Sequence, residues 1–170
     1  AAILEANGVP VSIYSNAIYA MPSRYTALDA DIQDAINDGV IVISSAGNSY
    51  WPMDVAGGND YDNSLTISGG TYRPVRGSSP GAADNVICVG SIGHKVAEYK
   101  SGFSNFGERV DIWAPGGNIV SAAYGIAETN WSFVNDPRDS NYKLSCISGT
   151  SMAGPQVAGV VACLAEQHKT

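Results

Sequence analysis

The chain has 170 residues, 45% of them apolar and 15% charged, well below the roughly 25% charged share of average soluble domains. Nine Lys and Arg against sixteen Asp and Glu give a net charge of −7 with no basic block, which argues against a nucleic-acid partner. The longest apolar run, residues 157–165, is far short of the roughly 20 residues that a membrane span needs, so the composition is that of one globular domain or part of one.

In chain order, AAILEANG reads as the end of a helix closing at Gly8, with neither an initiator Met nor a signal peptide. VPVSIY (9–14) is a short apolar, β-branched run. Leu28, Ile32, Ala35 and Ile36 recur at helical spacing and predict a helix over residues 27–38, with Gly39 as its left-handed closing residue. GVIVISS then predicts a strand buried on both faces of a parallel sheet, completing a strand–helix–strand unit. Further strands are predicted over residues 85–90, 110–114 and 118–122, and the class is α/β. Residues 49–84 and 124–143 are polar and Gly-rich and read as long surface loops. The acidic stretch 54–62 could hold a structural calcium ion, but a solvated loop is the simpler reading, and no other metal or cofactor is indicated.

SMAGPQVAGVVACLA (151–165) is apolar nearly all round, so it predicts a centrally buried helix, with Pro155 in its first turn. The closing AEQHKT supplies no further element to cover it, and the chain is expected to be a fragment. Three cysteines are too few and too scattered for a disulfide framework, and an odd one must be free. Cys146 and Cys163 read as buried small hydrophobes, and Trp51, Trp113 and Trp131 as packing residues.

Two residues suit acyl-transfer chemistry. Ser151, introduced by Gly149 and Thr150, stands at a helix entrance, where free N–H groups and the dipole stabilise developing negative charge. Asn48 closes SSAGN beyond the carboxyl end of the strand, where open α/β sheets bind ligands. Its amide and the Ser151 N–H could together hold an oxyanion. Taken singly, Ser151 is more simply a helix cap and Asn48 a turn residue.

The strings GVIVISSAGN, FSNFGERVDIWAPG and SGTSMAGPQVAG, in that order, closely resemble segments of the subtilisin-like serine proteases, the subtilases. The resemblance runs from about residue 9 to residue 164, interrupted by the two loop regions. It implies a three-layer fold with a mostly parallel sheet flanked by helices, incomplete in this chain. It also implies a serine endopeptidase acting on polypeptides, with Ser151 as nucleophile and Asn48 as oxyanion-hole residue. Thr150 then lies beside the hole, Ser45, Ala46 and Gly47 line the specificity pocket, and Ser15, Asn16 and Ala17 form the edge that pairs with substrate. Ala17 replaces the family's glycine, and Gln156 stands where many members carry a histidine.

The family's catalytic Asp and His precede the region present here, and neither His94 nor His168 matches the general base. The resemblance therefore implies that the rest of the catalytic domain is a required partner, and that this polypeptide alone is nearly inert. It favours a secreted protein. The rival expectation is a subtilase-like domain without catalysis, serving as a structural or interaction module.

Overall fold

The computed structural model describes residues 21–67, 69–94, 98–123 and 133–167. In chain order the elements are α1 (Thr26–Asn37), β1 (Ile43–Ser45), β2 (Leu65–Ile67), β3 (Gly70–Tyr72), a single 3₁₀ turn (Pro74–Arg76), β4 (Ile87–Ile92), β5 (Ile112–Pro115), β6 (Ile119–Ala123), β7 (Phe133–Asp136), β8 (Asp139–Ile147) and α2 (Thr150–Gln167). The predicted first strand, at residues 9–14, lies outside the described residues.

Helix α1 forms where its apolar spacing places it and stops for a local reason. Gly39 has φ +90°, its N–H donates to the Ile36 carbonyl at 2.9 Å, and the Val40 N–H donates to the Ala35 carbonyl at 3.0 Å. These are the paired bonds of a Schellman closure, which only a residue at ease with positive φ can make without strain.

The main sheet is parallel, in the order β1-β4-β5, with Ile43 opposite Ile87 and Val89 opposite Ile112. Side chains alternate across a strand, and central β4 uses both faces. Cys88 packs with Ala46, Met53, Ala82 and Val110 on one side, while Val89 packs with Ala114 and with Ala153 and Val157 of α2 on the other. Burying Met53, Val89, Val110 and Val157 stabilises the fold by about 1.5–3 kcal/mol each, and the alanines contribute less. The core is thus two thin layers separated by β4, with α2 held against one of them.

Five expectations need correction. The run 39–45 gives only a three-residue strand, half-buried throughout, with Val40 and Ile41 53% and 56% exposed. Among the described residues β1 has a neighbour on its β4 side alone, and α1 buries no side chain over it. The two presumed loops contain strands: β2 and β3 form a hairpin in the first, and β7 and β8 join β6 in an antiparallel sheet of order β6-β8-β7 in the second. Helix α2 buries only the stripe Thr150, Ala153, Gly154 and Val157, leaving Val160 and Leu164 61% and 50% exposed, because nothing among the described residues packs on its far side. Pro155 falls about one turn inside α2 rather than in its first turn, so the Ser151 carbonyl loses the N–H that another residue at position 155 would donate. Cys146 and Cys163 are exposed, and Cys88 alone among the three is buried. Of the tryptophans, Trp51 is buried, Trp113 partly exposed, and Trp131 outside the described residues.

The β7–β8 turn carries its own ion pair. Asp136 accepts from the Arg138 side chain at 2.6 and 2.9 Å and from the Arg138 backbone N–H at 2.9 Å, and these bonds hold its carboxyl down at about 2. A depressed carboxylate contributes stability above its unfolded pKa of about 3.9 and loses it only as pH falls through the folded value. The Asp136 carboxyl carbon should therefore titrate near pH 2 by NMR. A midpoint near 4 would show the turn to be open.

Candidate active site

The site is assembled at the carboxyl ends of the parallel strands. Beyond β1 the chain turns through Gly47 and Asn48, and beyond β5 Gly116 accepts the Gly149 N–H at 2.8 Å, which fixes the segment entering α2. Gln156, one turn into the helix, reaches back to the Pro115 carbonyl at 2.5 Å and fastens α2 to the end of β5.

Thr150, fully buried, joins the two halves. Its backbone N–H and its hydroxyl both donate to Asn48 Oδ1, at 2.9 and 2.8 Å, and its Oγ1 accepts the Gly47 N–H at 3.2 Å. Two donors on one oxygen settle which way the carboxamide faces. The oxygen is turned to Thr150, so the Nδ2 group, with its hydrogens, is directed elsewhere.

Gly149 serves as a ruler for where that group lies. A Cβ placed on it would stand 3.5 Å from Asn48 Nδ2 and 3.7 Å from the Ser151 backbone nitrogen. The two nitrogens, 103 positions apart in the chain, therefore flank one point at the start of α2. The Ser151 N–H belongs to the first turn of the helix and has no intrahelical acceptor. Asn48 and Ser151 are both exposed, and among the described residues no side chain bonds the Ser151 hydroxyl. Of the two histidines, His94 is occupied with Asn118 at 3.2 and 3.3 Å, and His168 is outside the described residues.

A cleft of about 190 Å³ opens beside this point. Ser45, Ala46, Gly47 and Asn48 form part of its wall, with Trp51 and Asn105 beyond them. Its other wall, Ser78 to Gly81, was not anticipated, although the Gly-Ser-Ser-Pro-Gly run marks a turn. None of the described lining residues is charged. Ser15, Asn16 and Ala17 lie outside the described residues. Cys88, beneath this wall, is no competing nucleophile: burial pushes its thiol up to about 11, leaving it protonated at neutral pH.

The acidic side chains of the stretch 54–62 are engaged by backbone N–H groups of the stretch and by neighbouring side chains. Asp54 accepts the Val55 and Asp60 N–H groups at 2.8 and 2.9 Å, Asp60 accepts from Asn63, and Asp62 pairs with Arg76.

A family model for the subtilase family matches residues 1–170. The chain belongs to the subtilase family. Among curated relatives of this subtilase chain, subtilisin-like serine protease pepC of Aspergillus niger is 37% identical over 131 residues, which are 77% of the chain and 18% of that protein. Subtilisin-like protease 2 of Arthroderma otae is 34% identical over 131 residues, 75% of the chain and 27% of that protein. The chain thus spans about a quarter or less of the relatives it matches. Among solved structures, a cold-adapted subtilisin-like serine proteinase superposes with a TM-score of 0.57 at 30% identity, over 85% of this chain and 38% of that one. The α/β architecture is that of subtilisin-like proteinases, and no described helix is long and apolar enough to cross a membrane.

Proposed function

We propose that the protein carrying this chain is a secreted serine endopeptidase in which Ser151 attacks the peptide carbonyl and Asn48 Nδ2 and the Ser151 N–H receive the oxyanion. The observation that carries this reading is the convergence of those two donors at the entrance of α2, beside a hydroxyl that no described side chain occupies. Donors fixed before the reaction stabilise the tetrahedral intermediate without reorganising as its charge develops. Thr150 orients the amide. The uncharged cleft lined by Ser45, Ala46 and Gly47 takes the side chain preceding the scissile bond and suits an uncharged one. Asp and His from the remainder of the catalytic domain complete the triad, His drawing the proton from Ser151 Oγ.

A serine-directed fluorophosphonate tests the assignment. Incubated with the full-length protein and followed by peptide mass mapping, it should modify Ser151 and no other serine. Labelling elsewhere, or none with protein that cleaves peptides, would remove Ser151 from the role.

A further inference from the structure

The hydrogen bonds that shape the turn bearing Asn48 meet at one residue that the family resemblance leaves without a role. Asn105, 5% exposed, follows the Phe-Ser pair of FSNFG. Its Oδ1 accepts the Ser49 N–H at 3.1 Å and the Trp51 N–H at 2.9 Å, and its Nδ2 donates to the Ala46 carbonyl at 2.8 Å. Its own backbone N–H donates to the Gly47 carbonyl at 2.9 Å. The reverse orientation of the amide would set its NH₂ against two N–H groups, so the assignment is fixed by the partners.

These four bonds fall on both sides of position 48, to residues 46 and 47 before it and 49 and 51 after it. Gly47 fits the arrangement in two ways. It holds φ +104°, and a Cβ there would lie 2.6 Å from Asn105 Nδ2, so the side chain of Asn105 fills the space that a glycine leaves. The segment behind Asn105 is anchored in turn. Lys100 donates to the Ser101 and Ser104 carbonyls at 3.1 and 3.2 Å and lies 4.3 Å from the centre of the Tyr50 ring.

We propose, resting on the protease reading above, that Asn105 is a positioning residue for the oxyanion hole. Its side chain also lines the cleft, but the hydrogen bonds of that side chain all go to the turn. It sets the path of the backbone through residues 46–51, and Thr150 then sets the rotation of the Asn48 amide on that backbone. A misplacement of about 1 Å in a catalytic group can cost on the order of 10²-fold in rate. Loss of Asn105 moves the donor without removing it, so kcat falls; the cleft wall shifts with the same backbone and KM can change with it, so the part of the kcat loss that depends on Asn48 marks the positioning role.

The test is a double-mutant cycle in the full-length protein, with a chromogenic peptide anilide as substrate and Asn105→Ala, Asn48→Ala, the double variant and Ser151→Ala as arms. Asn105→Ala should lower kcat by about 10- to 100-fold, and should have less than about a threefold effect on kcat once Asn48 is already alanine. A purely structural role would lower the folded fraction, and with it the apparent kcat per total protein, by the same factor in both backgrounds. Equal factors, or a change confined to KM, would overturn the proposal.

If Asn105→Ala does not fold, Asn105→Asp serves in its place. It keeps the acceptor for Ser49 and Trp51 but sets an oxygen against the Ala46 carbonyl, and should show the same dependence on Asn48; a kcat equal to that of the native protein would overturn the proposal. Activity persisting in Ser151→Ala would instead remove the protease reading itself, so the two failures are distinguishable.

Discussion

Ser151→Ala, introduced into the protein that carries this chain, should lower kcat for peptide hydrolysis by about 10⁶-fold, the magnitude known for removal of the nucleophile in subtilisin itself. The geometry explains why the loss is confined to the chemical step. The substitution deletes the attacking oxygen and leaves the Ser151 backbone N–H, the Asn48 amide and the cleft in place, so KM should change by no more than about threefold. Stability should also be preserved. The Ser151 side chain is exposed and bonded to no described side chain, and alanine is a better helix former than serine, so the change in folding free energy should stay within about 0.5 kcal/mol. The variant should therefore melt with the native protein and yet be inert. Cleavage of a peptide anilide at an unaltered rate would show that another group attacks.

How far the sequence discloses this site depends on the range over which each signal acts. The end of α1 was legible because Gly39 permits a closure made of two short-range bonds, its own N–H to Ile36 and the Val40 N–H to Ala35. The strands 87–92 and 112–115 were legible as short apolar runs between turn residues, displaced by about two positions from where they form. Strand β8 carries a period-two signal in Tyr142, Leu144 and Cys146 alternating with Asn141, Lys143 and Ser145, but its polar start, Asp139 to Asn141, made the stretch as far as residue 143 read as a loop. Helix α2 shows the opposite error. Its composition reports which residues could be buried, whereas burial depends on what is packed against them, and only the stripe facing β4 and its neighbours is covered.

The bonds that place Asn48 beside the start of α2 span 102 positions and leave no local signal; residue chemistry offered Asn48 and Ser151 only as candidates with simpler readings, and the resemblance singled them out. Asn105 lay within a motif already noticed and was still passed over. Its bonds reach 54 to 59 positions back along the chain and end on backbone atoms, which carry no side-chain identity for a sequence to display.

Asn48 provides the sharper test of the oxyanion hole, because two substitutions there should differ in a direction that geometry sets. Asn48→Ala removes the Nδ2 donor and should lower kcat by about 10²- to 10³-fold with KM little changed, the range known for the corresponding loss in subtilisin. It also leaves the Thr150 hydroxyl without the acceptor it now has at 2.8 Å, but that hydroxyl still accepts the Gly47 N–H, so the turn is held. Asn48→Asp is nearly isosteric and retains an oxygen for both Thr150 donors. The folded protein should therefore be disturbed less than by alanine. Its second oxygen, however, would occupy the place of Nδ2, beside the Ser151 N–H, and would set a negative charge where the reaction develops another. Like charges at such a distance repel. The aspartate variant should thus be the more stable of the two and the slower in kcat. If Asn48→Asp instead equals or exceeds Asn48→Ala in rate, the amide hydrogens of Asn48 do not face the oxyanion, and the pair of donors at the entrance of α2 is not the hole.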